Sequence, residues 1–203
     1  MKLLLTSDGL SSKKIRKEFL KLLDKPADET TVLMMHTATK KWQNKYVRKV
    51  MEQLVLAGIK KKNIYEANIP KNIKASNFKD FDVFFSFGGN TYYILDRVRK
   101  TGFDKYIKKF VRKNKVYIGL SAGSIIVHKS IEIAGWGKDR DINEIGLRDL
   151  KGLNITNIAI FPHFKEKRRK EINLFKKNSP YPIVELKDKQ AFLINGKTKR
   201  LIK

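Results

Sequence analysis

Long apolar runs alternate with amphipathic stretches along most of the chain. Lys2 to Thr6 and Thr31 to Met35 (TVLMM) read as buried strands. Phe81 to Phe87 (FDVFFSF) is nearly continuous in apolar residues, as a central parallel strand covered on both faces requires. Between them, apolar positions recur at helical spacing. Ile15, Phe19, Leu22 and Leu23 form one face over Lys13 to Leu23, with Ser12 as a cap and Pro26 closing the region. Tyr46, Val50, Leu54 and Ala57 do the same over Trp42 to Ala57, with Gly58 as the stop. Ile64 to Ile69 reads as a shorter strand and Asn72 to Lys79 as a short helix or loop. Tyr92 to Lys100 and Asp104 to Lys113 read as helices parted by Thr101 and Gly102.

The second half continues the alternation less regularly. Val116 to Ile118 reads as a strand and Ser124 to Val127 as the start of a helix. Ser130 to Asp149 is loop-like, with a short strand expected at Ile131 to Ala134. A strand at Ile155 to Ile160 leads through Phe161, Pro162, His163 and Phe164 into a strongly basic helix, Lys165 to Lys177. Tyr181 to Leu186, Ala191 to Asn195 and Thr198 to Ile202 read as strands, the last two joined by an Asn195-Gly196 turn. The pattern predicts an α/β fold: one doubly wound, mostly parallel sheet flanked by helices and ending in an antiparallel edge or hairpin. All 203 residues are expected in one domain, since no linker, repeat or low-complexity segment interrupts them.

Between Val116 and Val127 the strand-to-helix junction is GLSAG, Gly119 to Gly123. Such a turn lifts a serine hydroxyl, here that of Ser121, out of the sheet, while small neighbours leave room for the backbone. The Ala122 N–H then lies at a helix N-terminus, where a negative oxygen is stabilised. In an open α/β sheet ligands bind beyond the carboxyl ends of the strands. Four loops qualify: His36 to Thr39, Gly88 to Thr91, Ser121 to Gly123 and Pro162 to Phe164.

A serine needs a base to remove its proton. Of the three histidines, His36 reads as a polar-loop or core residue and His128 as a structural residue on the helix after Ser121. His163, directly after a strand and behind a proline, is the candidate base. A carboxylate normally fixes such an imidazole. Glu185 and Asp188 downstream and Asp139, Asp141, Glu144 and Asp149 upstream all remain open. Gly88 and Gly89 expose backbone N–H groups, and Asn90 reads as a helix cap.

Composition narrows the chemistry. The absence of cysteine removes disulfides, cysteine-ligated zinc and a thiolate nucleophile. No run approaches the about 20 apolar residues that span a bilayer. MKLLLTSDG reads as a first strand rather than a signal peptide, so a cytoplasmic location is expected. The formal net charge is +25. Its basic residues are spread along the chain, with modest clusters at Lys60 to Lys62, Lys105 to Lys115 and Lys165 to Lys177. That pattern fits a solvated basic surface, with non-specific polyanion association at low salt.

Three segments together, GGNTYYIL at Gly88, GLSAGSIIV at Gly119 and FPHF at Phe161, resemble the peptidase E family. These are serine peptidases of the class I glutamine-amidotransferase-like fold, and their best-known member is an aspartyl dipeptidase. The resemblance implies Ser121 as nucleophile, His163 as general base, and Gly89 and Ala122 as the oxyanion-hole donors. It puts Asp188, in LKDKQAFLI, nearest the family's acid, although the dipeptidase has a glutamate in an E-G-N-W context. Arg168 best matches an arginine associated with preference for an N-terminal aspartate, and Asn90 joins it as a substrate-binding candidate. The expected activity is hydrolysis of small peptides, Asp-Xaa dipeptides among them, without metal or cofactor. The alternatives are an ester, amide or β-aspartyl polymer hydrolase on the same residues, and a basic nucleic-acid-associating protein that retains the fold.

Overall fold

The structure is a computed structural model that describes residues 1–37, 44–69, 73–78 and 80–203. The expected loop positions Ala38 and Thr39, the helix start at Trp42 and the bounds Asn72 and Lys79 lie outside the described residues. A seven-stranded sheet forms the centre, made of β1 (Lys2–Thr6), β2 (Val32–His36), β3 (Ile64–Asn68), β4 (Val83–Ser86), β5 (Val116–Leu120), β8 (Ala191–Asn195) and β9 (Thr198–Ile202). Their spatial order is β3-β2-β4-β5-β1-β8-β9. The first five run parallel, β8 lies antiparallel to β1, and β9 turns back along β8. Every residue of β1, β2 and β4 is buried, which is why those segments carry uninterrupted apolar runs.

Each face of the sheet has its own apolar layer. Leu4, Met34, Phe85 and Ile118 pack under α1 (Lys13–Leu20) and α2 (Asn44–Leu56). Leu5, Leu33, Phe84 and Tyr117 face α3 (Thr91–Lys100), α4 (Phe103–Arg112) and the short α5 (Ala122–Ile125). The caps follow the sequence. Ser12 Oγ accepts the Ile15 N–H at the start of α1, and Asn90 Oδ1 accepts the Tyr93 N–H at the start of α3.

Three expectations are corrected. Ile131 to Ala134 does not form a strand; Glu132–Gly135 is a 3₁₀ turn, whose Ile133 and Ala134 bury without a neighbouring strand to pair with. The helix after Ser121 is a single turn, so His128 lies beyond it, bridged to Thr156. The strand expected at Ile155 to Ile160 is shorter and later: β6 (Ala159–Phe161) leaves the main sheet and pairs in parallel with β7 (Ile183–Glu185) as a separate two-stranded sheet. The basic segment is a 3₁₀ turn, Glu166–Arg168, followed by α6 (Arg169–Asn178).

Two glycines of GLSAG are fixed by close approach. A Cβ on Gly119 would come within 2.6 Å of the Gly123 carbonyl oxygen, and one on Gly123 within 2.4 Å of the Ser86 carbonyl oxygen. Both obstacles are backbone, which no rotamer change can move. Gly123→Ala is therefore expected to destabilise the fold by about 3 kcal/mol through overpacking. That lowers the melting temperature by roughly 9 °C for a chain of this size, readable by calorimetry. An unchanged melting temperature would show that the β4–α5 contact yields.

Candidate active site

The site is assembled where β5 ends against β1 and β4. Ser121 leaves β5 with φ 50° and ψ −111°, a backbone conformation that costs a β-carbon-bearing residue about 1–3 kcal/mol and must be held by its surroundings. The hold is a compact set of hydrogen bonds to the end of β1. The Ser121 N–H donates to the Thr6 carbonyl at 2.9 Å. Ser124 Oγ accepts the Thr6 N–H at 2.9 Å and stands 2.9 Å from the Thr6 carbonyl and 2.8 Å from the Gly119 carbonyl. Thr6 Oγ1 donates to the Gly119 carbonyl at 2.7 Å and accepts the Gly9 N–H at 2.9 Å. Behind the turn, the buried Tyr117 hydroxyl donates to the Gly123 carbonyl at 2.7 Å. Burial pushes that phenol far above its ordinary pKa, so it stays a neutral donor.

His163 reaches Ser121 from outside the main sheet. β6 ends at Phe161, Pro162 follows, and His163 adopts φ 53°. The next residue is anchored, since the Phe164 N–H donates to the Leu186 carbonyl at 2.9 Å. His163 Nε2 lies 3.0 Å from Ser121 Oγ. On the other side of the ring, Nδ1 lies 2.8 Å from Asp188 Oδ1. A carboxylate only accepts, so the proton of the neutral imidazole sits on Nδ1 and leaves Nε2 free to accept from the serine.

Asp188 arrives because β8 is antiparallel. The start of β8 pairs Ala191 with Thr6, the last residue of β1, so the turn before β8 lies at the carboxyl edge of the parallel strands. The side chains of Asp188 and His163 are 58% and 49% exposed. Partial burial raises the Asp188 pKa, but hydrogen bonds from His163 and Ser7 and the charges of His163 and Lys165 outweigh it, and the carboxyl is held below its ordinary value.

The other sequence candidates divide clearly. Asp139 and Asp141 line the cavity beside Ser121, where Asp141 Oδ2 accepts the Thr91 N–H at 2.8 Å. Glu185 is committed to Arg169 and, at 2.6 Å, to Lys176. His36 is buried at the end of β2 with Glu66 3.2 Å away. His128 is buried against Tyr181, its Nδ1 beside the Ser130 main chain, and burial lowers its pKa. Asn90 is occupied on both sides: its amide also donates to the Ile142 carbonyl at 2.7 Å.

Gly89 has φ 136°, a conformation open to glycine, and lines a cavity of about 390 Å³ with Ser121 and Gly88. A β-carbon on Gly88 would fall 3.0 Å from Ser121 Cβ, so that loop lies directly against the serine. Ala122 is the first residue of α5, and its N–H is one of the helix's unsatisfied donors. Ser121 also lines a second cavity, about 270 Å³, walled by Ile125, Trp136, Asp139, Asp141, Lys165 and Arg168. Arg168 is only 7% exposed. Its guanidinium lies over the Phe161 ring and donates to Glu171 at 2.8 Å and to the Trp136 carbonyl at 3.0 Å. Its Nε has no partner among the described residues. A larger cavity of about 530 Å³ beside α4 is lined by Ser76, Tyr106, Phe110 and four lysines, with no histidine among its lining residues.

Sequence reasoning passed over the loop after β1. Thr6 and Ser7 are completely buried, and Ser7 Oγ lies 2.9 Å from the His163 N–H nitrogen and 3.1 Å from Asp188 Oδ1. The signal available was positional: this loop also leaves the carboxyl end of a central strand, and it carries two hydroxyls.

Known proteins agree with this architecture. The sequence matches the description of peptidase family S51 over residues 3–202. An uncharacterized peptidase of Pasteurella multocida is 31% identical over 117 residues, covering 55% of each chain. One of Listeria monocytogenes is 33% identical over 129 residues, covering 59% of this chain and 61% of its own. The matched segments thus span just over half the length of these curated relatives. Among solved structures, a Listeria monocytogenes protein assigned to peptidase E superposes with a TM-score of 0.77 at 24% identity, over 98% of this chain and 96% of its own. A peptidase from an acI-B1 actinobacterium gives 0.73 at 14% identity, over 99% and 86%. Those likenesses carry the fold, which is the class I glutamine-amidotransferase-like architecture of the peptidase E structures. With the family's pattern running through nearly every residue, the chain belongs to peptidase family S51.

Proposed function

We propose that this protein is a serine peptidase that hydrolyses small peptides through an acyl-enzyme. One observation carries the reading: an unbroken hydrogen-bonded line runs from Ser121 Oγ through the His163 ring to Asp188, at 3.0 and 2.8 Å. Ser121 Oγ attacks the scissile carbonyl carbon while its proton passes to His163 Nε2. The Asp188 carboxylate stabilises the imidazolium so formed and holds the ring's orientation. The N–H groups of Gly89 and Ala122 stabilise the oxyanion. Collapse of the tetrahedral intermediate breaks the C–N bond, and the leaving amine takes the proton from His163. Water, deprotonated by the same nitrogen, then releases the acid product and restores Ser121.

Two cavities share Ser121 and His163 in their linings and differ in their other walls, which offers the substrate's two flanks distinct surroundings. Arg168 supports Asp-Xaa dipeptides as the first substrates, because its guanidinium is fixed over the Phe161 ring and Arg168 helps wall a cavity beside Ser121. Glu171 already neutralises part of that charge, so the preference for an acidic residue is expected to be modest.

In a dipeptide assay on folded protein, Ser121→Ala is expected to lower kcat by about 10⁴-fold or more. Retained activity would remove the serine from the mechanism. Asp188→Asn is expected to cost about 10²- to 10⁴-fold, whereas Asp139→Asn and Asp141→Asn should each cost less than about tenfold. The reverse ranking would move the acid to the upstream loop. Asp188 also links stability to pH. Its folded-state pKa is depressed, so its contribution is complete above the ordinary aspartate value of about 3.9 and is lost as pH falls through the lower folded value. The stability gap between wild type and Asp188→Asn, read by urea unfolding, should therefore narrow below about pH 4. A pH-independent gap would show that the carboxylate is not stabilised in the fold.

A further inference from the structure

Ser7 is fully buried at the carboxyl end of β1, directly behind the half-exposed pair His163 and Asp188. Its partners fix the direction of its single hydroxyl proton. The His163 main-chain N–H is a donor, 2.9 Å away, so Ser7 Oγ must accept there. Asp188 Oδ1, 3.1 Å away, is an acceptor, so the Ser7 proton points to it. Oγ also lies 3.3 Å from His163 Nδ1, in contact with the ring edge that Asp188 engages. The Ser7 N–H donates to the Gln190 carbonyl at 3.3 Å, which ties the same residue to the far side of the Asp188 turn.

One hydroxyl therefore joins the backbone that places His163 to the oxygen that orients its ring. His163 sits in a left-handed backbone conformation that is unfavourable without support, and the Ser7 bond supplies that support. Asp188 Oδ1 receives two donors, His163 Nδ1–H and Ser7 O–H, which together hold a carboxylate that water could otherwise reorient. The charged groups acting on that carboxylate are His163 and Lys165.

We propose that Ser7 is a positioning residue for the reaction: it acts through Asp188 and the His163 backbone to hold the imidazole in line with Ser121. This rests on the serine peptidase reading above. Ser7 lines neither cavity beside Ser121 and reaches them only through His163, so its loss should appear in kcat and hardly in KM.

The test is a kinetic double-mutant cycle on the full chain with a dipeptide substrate. Ser7→Ala is expected to lower kcat about tenfold, the worth of one hydrogen bond to a charged group, with KM changed less than about twofold. In the Asp188→Asn background the same change should cost clearly less, about threefold or under, because the carboxylate it orients is gone and only its bond to the His163 backbone remains to be lost. Ser7→Cys, nearly isosteric and a poor donor, should behave like Ser7→Ala and carries the test if the alanine variant does not fold. Full kcat in either variant overturns the inference. So does an additive cycle, which marks a residue that supports only the fold. If Ser121→Ala abolishes activity while Ser7→Ala leaves it intact, this inference alone fails. If Ser121→Ala stays active, the serine peptidase reading fails first and the role of Ser7 falls with it.

Discussion

The architecture hinges on how closely three strand ends approach one another at the top of the sheet. β5 can pass into α5 within a single residue only because Gly119 and Gly123 admit neighbouring carbonyls at distances no β-carbon tolerates. The strained backbone of Ser121 persists because Thr6 and Ser124, both fully buried, saturate the main chain around it. Packing against β4 and hydrogen bonding to β1 thus act on the same turn from opposite sides. Loosening either would relax Ser121 toward an ordinary conformation and withdraw its hydroxyl from His163. The parallel core is in this sense a clamp, and its apolar layers on both faces supply the force.

Much of this was legible in the sequence, for identifiable reasons. The strand–turn–helix at Gly119 to Gly123 could be read because small residues at fixed offsets have few other uses after a buried strand. The position of His163 was legible from Phe161 and Pro162, which end one element and redirect the chain. The placement of Asp188 was harder to read. A residue in a C-terminal turn is placed at the serine only by the pairing of β8 with β1, and pairing order leaves no mark on local composition. Ser7 was missed for the same reason, since a single serine after a first strand has no spacing to distinguish it. The separate β6–β7 sheet was also beyond reach, because an isolated strand pair and a sheet strand share one apolar pattern. The Arg168–Glu171 pair was within reach: residues three apart on a helical segment face one another.

The basic character of the chain is unevenly expressed. Positive charge exceeds negative by 25 over the molecule. At the two cavities beside Ser121 the signs balance, with Asp8, Asp139 and Asp141 against Lys49, Lys165 and Arg168. Asp8 and Lys49 pair directly at 3.0 Å. The long-range field will draw anions toward the protein and fade within about 10 Å in ordinary salt. Inside the cavities, individual groups decide orientation instead. The long-range field of the molecule and the local charge balance around Ser121 are therefore separable properties of this surface.

The antiparallel insertion of β8 has a consequence for the order in which the site comes into being. Ser121 is synthesised well before His163, and His163 before Asp188. β1 keeps one edge open until β8 arrives to cover it. A nascent chain that has released β5 contains Ser121, yet it lacks both His163 and Asp188. The line of contacts from Ser121 through His163 to Asp188 is thus completed only when β8 lies on β1. The residues gathered at this edge thus come from widely separated parts of the chain, and the antiparallel pairing of β8 is what closes the set.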